Sequence, residues 1–205
     1  MTDLAEGEKP SSKAKWQLNL IIFVSVVPIF MAYLAYYTGI GVPTSTVNEG
    51  ELLLPAVQIN ELRVDDESKL PQFGSDKTWR LFIPVPAQCD KQCQHHLYIA
   101  RQVNIRLANK TARVERYAVS LGGVDSDGYL QRIKAEYPRM QVVSASLPAW
   151  EEWLAGTNLS ASVEKAHYYL LADPVGNVMM FYTAAQDGNQ LLKDIKRILR
   201  HTPED

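Results

Sequence analysis

The sequence predicts an α/β domain, a central sheet flanked by helices, preceded by one transmembrane helix. Three features predict it. An apolar run without charge lies near the N-terminus. From Trp79 onward, strand-length and helix-length segments alternate. A hairpin pattern around Asp173-Pro174 then leads into an amphipathic final helix.

The apolar run comes first. No charged residue occurs between Lys15 and Glu49, and Leu18 to Tyr37 is almost wholly apolar. About twenty such residues span roughly 30 Å of hydrocarbon as a helix. Pro28 lies mid-span, where membrane helices tolerate it. Trp16 marks one interface, and Tyr33, Tyr36 and Tyr37 mark the other. Lys9, Lys13 and Lys15 precede the span, and the next cation is Arg63. The positive-inside rule therefore puts the short N-terminus in the cytoplasm and the domain outside. The expected location is the inner (cytoplasmic) membrane, single-pass, with the C-terminal domain in the periplasm. A cleaved signal peptide would have a shorter apolar region, roughly 7–15 residues, and would send the domain to the same side. The expected organisation is a cytoplasmic tail over 1–15, a transmembrane helix over 16–37, a linker and N-terminal extension over 38–64, and the domain over 65–205.

The rest of the chain suits one ordinary domain of roughly 160 residues. With 46% hydrophobic residues, it has the apolar surface to fold. The net charge of -2, the lack of a basic stripe and the absence of zinc-finger spacing argue against nucleic acid. No nucleophile–base motif, phosphate loop or paired-carboxylate signature is present.

Residues 52–64 read as a short strand or hairpin arm with Pro55 at a sheet edge. Residues 79–86 form an apolar run of strand length that ends at two prolines. Residues 90–108 suit a helix, with Leu97, Ala100, Val103 and Leu107 on one side. Residues 113–121 alternate as a strand and turn at Gly122-Gly123. A helix over 126–137, capped by Asp125 or Ser126, ends before Pro138. A strand over 140–146 precedes a short helix from Pro148 to Gly156. Strands over 167–172 and 177–183 flank the turn Asp173-Pro174-Val175-Gly176, adding an antiparallel edge. In the last helix, Leu191, Leu192, Ile195, Ile198 and Leu199 share a face.

The chemistry centres on Cys89 and Cys93, the only cysteines. They follow a buried-looking strand at the start of a helix, where orphan N–H groups and the helix dipole favour a thiolate. A spacing of four puts both sulfurs on one helical face. Outside the cytoplasm such a pair can oxidise to a structural disulfide, act as a redox couple or share a soft metal ion. His96, three residues after Cys93, lies near the face of the pair, and His95 lies further round. Either could raise thiolate content or offer an imidazole to a metal, while the plainer reading of His96 is an exposed first-helix histidine.

The element order, the strand ending at a cysteine pair and the late Asp173-Pro174-x-Gly176 hairpin resemble the thioredoxin fold over roughly residues 65–200. The Cys-x-x-x-Cys spacing, in place of Cys-x-x-Cys, resembles the Sco/SenC branch. Those are membrane-anchored, thioredoxin-like proteins that assemble the copper site of cytochrome c oxidase. The resemblance implies a divergent assembly factor that delivers copper, or maintains thiols, through Cys89 and Cys93, with the copper-binding subunit of the oxidase as partner. It also implies a histidine as third copper ligand. Alignment on Asp173-Pro174 puts Lys165 at that histidine's place, and His167, two residues later, faces the same side of an extended strand. His167 is thus the expected ligand, ahead of His96. Gln94 stands where the family has a proline after the second cysteine. Two other readings remain: a metal-free periplasmic thiol–disulfide oxidoreductase, and a non-catalytic interaction protein with a structural disulfide.

Overall fold

A computed structural model describes residues 12–38, 48–122, 127–159 and 167–202. The chain divides into two compact units, Met1–Val47 and Asn48–Asp205. The expected cap at Asp125 or Ser126, and Lys165, lie outside the described residues.

In the first unit, α1 (Ser12–Thr38) runs through Pro28. Its stretch Lys15–Thr38 contains an 18-residue window with a mean hydropathy of 2.3 and is long and apolar enough to cross a membrane. It is apolar all round rather than on one face, as a span surrounded by lipid requires. Ser25 and Thr38 turn their hydroxyls back onto the carbonyls of Ile21 and Leu34, which satisfies them within the helix.

The second unit is built on one six-stranded sheet. Its strands are β1 (Glu51–Gln58), β2 (Trp79–Val85), β3 (Val114–Ser120), β4 (Met140–Ser144), β5 (Tyr169–Ala172) and β6 (Asn177–Tyr182), in the order β1-β6-β5-β2-β3-β4. The strand–helix alternation gives parallel pairs, β2 with β3 and β3 with β4. The hairpin β5–β6 is antiparallel, as its turn requires, but it is not the edge. β5 lies against β2, and β1 covers β6 from outside. Pro55 falls in β1, where an edge strand can spare a ladder donor. Every residue of β2 is buried, as a central strand covered on both faces demands.

The helices are α2 (Lys91–Arg106), α3 (Asp127–Glu136), α4 (Leu147–Leu154) and α5 (Gly188–His201). On one face of the sheet, Leu81, Ile83 and Val85 pack against Leu97, Ala100 and Val103 of α2 and Leu191, Ile195 and Leu199 of α5. On the other, Phe82, Val119 and Leu170 pack against Trp150 and Trp153 of α4 and against Leu53, Ile59 and Leu62. The start of α4 is fixed by Ser146, whose hydroxyl accepts the Ala149 N–H. A reciprocal capping box of Asp187 and Gln190 starts α5.

Candidate functional site

β2 delivers the chain to the site. After Val85 the segment Pro86–Gln88 bends past Gly122, where an added Cβ would lie 2.6 Å from the Ala87 Cα, so only glycine permits this approach. The Leu121 N–H closes the loop onto the Val85 carbonyl at 2.9 Å. Cys89 follows, and Asp90 caps α2 by accepting the Cys93 N–H at 2.8 Å. The Gln94 amide donates to the Cys89 carbonyl at 3.3 Å.

Cys89 and Cys93 are joined in a disulfide with Cα atoms 5.2 Å apart. They are not equivalent. Cys93 is 2% exposed and belongs to the core, whereas Cys89 is half-buried at its edge. Cys89 is therefore the sulfur that an incoming group reaches, and Cys93 is the one behind it. When the bond opens, the helix N–H groups and dipole favour the thiolate that forms there.

Two histidines flank the pair. His167 lies two residues before β5 rather than inside it, and its Nε2 is 3.4 Å from Asp90 Oδ1. These two residues, with Pro86, Ala87 and Gln88, line a cleft of about 430 Å³. The Cys93 N–H and, less strongly, the His167 charge hold the Asp90 carboxyl below its ordinary value.

His96 departs from the exposed position expected of it. Its ring stacks on Tyr169 at 3.7 Å and 7°, and the Tyr169 hydroxyl donates to the His96 carbonyl at 2.8 Å. The reason is the pleat of β5: Tyr169 faces α2 with Leu171 and offers a flat surface beside the helix's apolar stripe. Nε2 of His96 is buried without a hydrogen-bond partner among the described residues. Burial pushes its pKa down to about 3, the His167 and His95 charges add to this, and a backbone hydrogen bond with Tyr168 opposes it. The His96 and His167 ring centres are 5.9 Å apart. His95 is exposed and faces Tyr98, and His201 ends α5 far along the chain.

The structure thus bonds Cys89 to Cys93, brings His167 to Asp90 between them, and sets His96, which the sequence ranked behind His167, against Tyr169, which sequence reasoning missed. A signal was present: His96 adjoins the stripe of Cys93, Leu97 and Ala100. Among the described residues, no group of three His, Cys, Asp or Glu side chains is gathered as a ready metal site. The donor set is nonetheless suited to a soft or borderline ion: two sulfurs, freed by reduction, and two imidazoles, one with an orphaned nitrogen.

Residues 79–202 match the family model for a transmembrane-like, thioredoxin-like, C-terminal domain. No curated protein matches the chain. Among solved structures, yeast Sco1 is similar at 13% identity and a TM-score of 0.50, covering 62% of this chain and 83% of that one. Yeast Sco1 with copper bound gives 11% and 0.48, covering 60% and 79%. Arabidopsis thaliana ScoI with copper bound gives 13% and 0.47, covering 60% and 85%. The likeness to yeast Sco1 is one of fold, the thioredoxin-like sheet with helices on both faces. With the model match over most of its length, the chain belongs to the family of transmembrane-like, thioredoxin-like C-terminal domains.

Proposed function

We propose that this chain is a membrane-anchored, Sco-like factor in cytochrome c oxidase assembly, with its domain on the periplasmic side of the cytoplasmic membrane. One observation carries the reading: a cysteine pair spaced by four at the N-terminus of the helix after the central strand, with His167 held beside it by Asp90. The Sco-type spacing and thioredoxin-like fold support the choice of family, and the apolar α1 supports the anchor.

Copper is the cargo in this reading. Reduced Cys89 and Cys93 supply two thiolates, and His167 supplies an imidazole. The copper-binding subunit of the oxidase receives the ion. The same pair serves thiol maintenance. The accessible Cys89 thiolate attacks a disulfide of the partner and forms a mixed disulfide as one partner sulfur leaves. The Cys93 thiolate then displaces the second partner sulfur. The Cys89–Cys93 bond forms, two electrons pass to the partner, and its two thiolates take up the two protons. The closed disulfide and the lack of a preassembled three-ligand cluster among the described residues favour this metal-free exchange as the second reading.

The test is anaerobic titration of the reduced full chain in detergent with copper(I). Binding of about one ion, lost in Cys89→Ser and in Cys93→Ser, supports delivery. No copper binding by the fully reduced chain ends that reading and leaves thiol exchange. A periplasm-dependent reporter fused after Asp205 should be active, and an inactive reporter in a stable, inserted fusion overturns the orientation.

A further inference from the structure

A buried polar atom without a partner is unfavourable, and native structures keep few of them. His96 Nε2 is one. Its ring stacks on Tyr169 and is hydrogen-bonded to the Tyr168 backbone, and the His96 main-chain carbonyl accepts the Tyr169 hydroxyl. Since Nε2 has no partner, the bond to Tyr168 uses Nδ1, which leaves a lone pair on Nε2. Such an arrangement, one ring N–H given to a backbone carbonyl and the other nitrogen free, is how metal-ligating histidines are oriented.

The surroundings agree with a ligand role. Cys93 lies one turn earlier on the same helix. His167 is the next ring, 5.9 Å away between centres. With metal–nitrogen bonds of about 2 Å, two imidazoles on one ion have centres roughly 4.5–6.5 Å apart. His167 in turn has Nε2 directed to the Asp90 carboxylate, which leaves Nδ1 for a metal and repeats the carboxylate–histidine pattern.

We propose that His96 Nε2 is a copper ligand of the reduced site, acting with Cys89, Cys93 and His167. The inference rests on the copper reading above, and it adds His96 to the two thiolates and the His167 imidazole of that reading. The test is copper(I) titration of the reduced full chain, with X-ray absorption of the loaded protein to count nitrogen neighbours. His96→Leu should weaken binding by at least about 10-fold, no less than the loss of an outer-shell partner does, and lower the nitrogen count by one. His96→Gln, which keeps a polar side chain, should do the same and guards against a folding defect in the leucine variant. In the metal-free oxidised state both variants should unfold no earlier than the parent. An unchanged nitrogen count and affinity in a folded His96 variant overturns the inference and leaves the copper reading standing. Failure of the reduced parent chain to bind copper overturns both.

Discussion

His167 Nε2 lies 3.4 Å from Asp90 Oδ1, the same oxygen that accepts the Cys93 N–H at 2.8 Å. One carboxylate therefore both starts the helix that carries Cys93 and holds the histidine that lies two residues before β5. It also places a negative charge next to the sulfurs, which opposes the thiolates that the helix N-terminus favours.

Substitution separates these effects. Asp90→Asn keeps a good cap and removes the charge. The oxidised protein should keep its unfolding midpoint, while the reduction potential of the Cys89–Cys93 couple should rise as the reduced form gains thiolate character. Asp90→Ala should lower the midpoint as well. Equilibration against a glutathione redox series measures the potential, and an unchanged value in Asp90→Asn refutes the charge argument.

His96 predicts a pH dependence. Its folded pKa of about 3 lies below the ordinary histidine value, so the unfolded chain binds the proton more readily. Stability is then full above roughly pH 6.5 and falls as pH drops toward the folded value, by up to about 1.4 kcal/mol per pH unit. Urea unfolding of the oxidised protein at several pH values should show this slope relative to His96→Gln. Parallel curves for the two proteins would refute it.

Sequence patterning made the parallel strands, their connecting helices and the hairpin legible, because periods of 2 and 3.6 and the turn chemistry at Asp173-Pro174 are local. It did not reveal that β1 covers β6, since pairing across more than a hundred residues leaves no local mark. The cysteine pair was legible from spacing and from its place after β2. Its surroundings were not. The inward turn of His96 depends on Tyr169, and the bridging role of Asp90 depends on His167, both far along the chain. Asp194 shows the same limit. It borders the apolar face of the last helix, one residue before Ile195, and no local pattern marks it as buried, yet it is wholly so.

Asp194 secures the start of the second unit. Its Oδ2 accepts the backbone N–H groups of Glu49 and Gly50 at 2.8 and 2.9 Å and the Tyr182 hydroxyl at 3.2 Å. Gly50 is required there, since a Cβ would lie 2.4 Å from the Tyr182 ring. Asp194→Ala leaves these donors unpaired, at about 1–3 kcal/mol each where they are buried. We expect a loss of about 3 kcal/mol or more in urea unfolding, with faster proteolysis near residues 48–51. A loss under about 1 kcal/mol would show that the segment does not depend on this carboxylate.

Arg116 carries the last prediction. It lies on β3 between Val114 and Ala118 on the α2 face, is 4% exposed, and has an Nη1 without a partner among the described residues. Its charged neighbours make matters worse. Burial first, then Arg101 and Arg139, hold its pKa down to about 10. A basic group whose folded value is depressed weakens the fold at every pH below that value, so at pH 7 the whole cost is present. Arg116→Met fills similar space without the charge, and replacing buried ionic groups by apolar residues of like volume is often stabilising by about 1–4 kcal/mol. Arg116→Met should therefore raise the unfolding midpoint. Arg116→Ala should gain less, because it leaves a cavity. Arg139→Gln, on the exposed side, should give a smaller rise by relieving the like charge alone. Thermal and urea unfolding of the oxidised protein distinguish these outcomes. If Arg116→Met instead loses more than about 1 kcal/mol, the guanidinium has a compensating anionic partner in solution and the argument from its isolation fails.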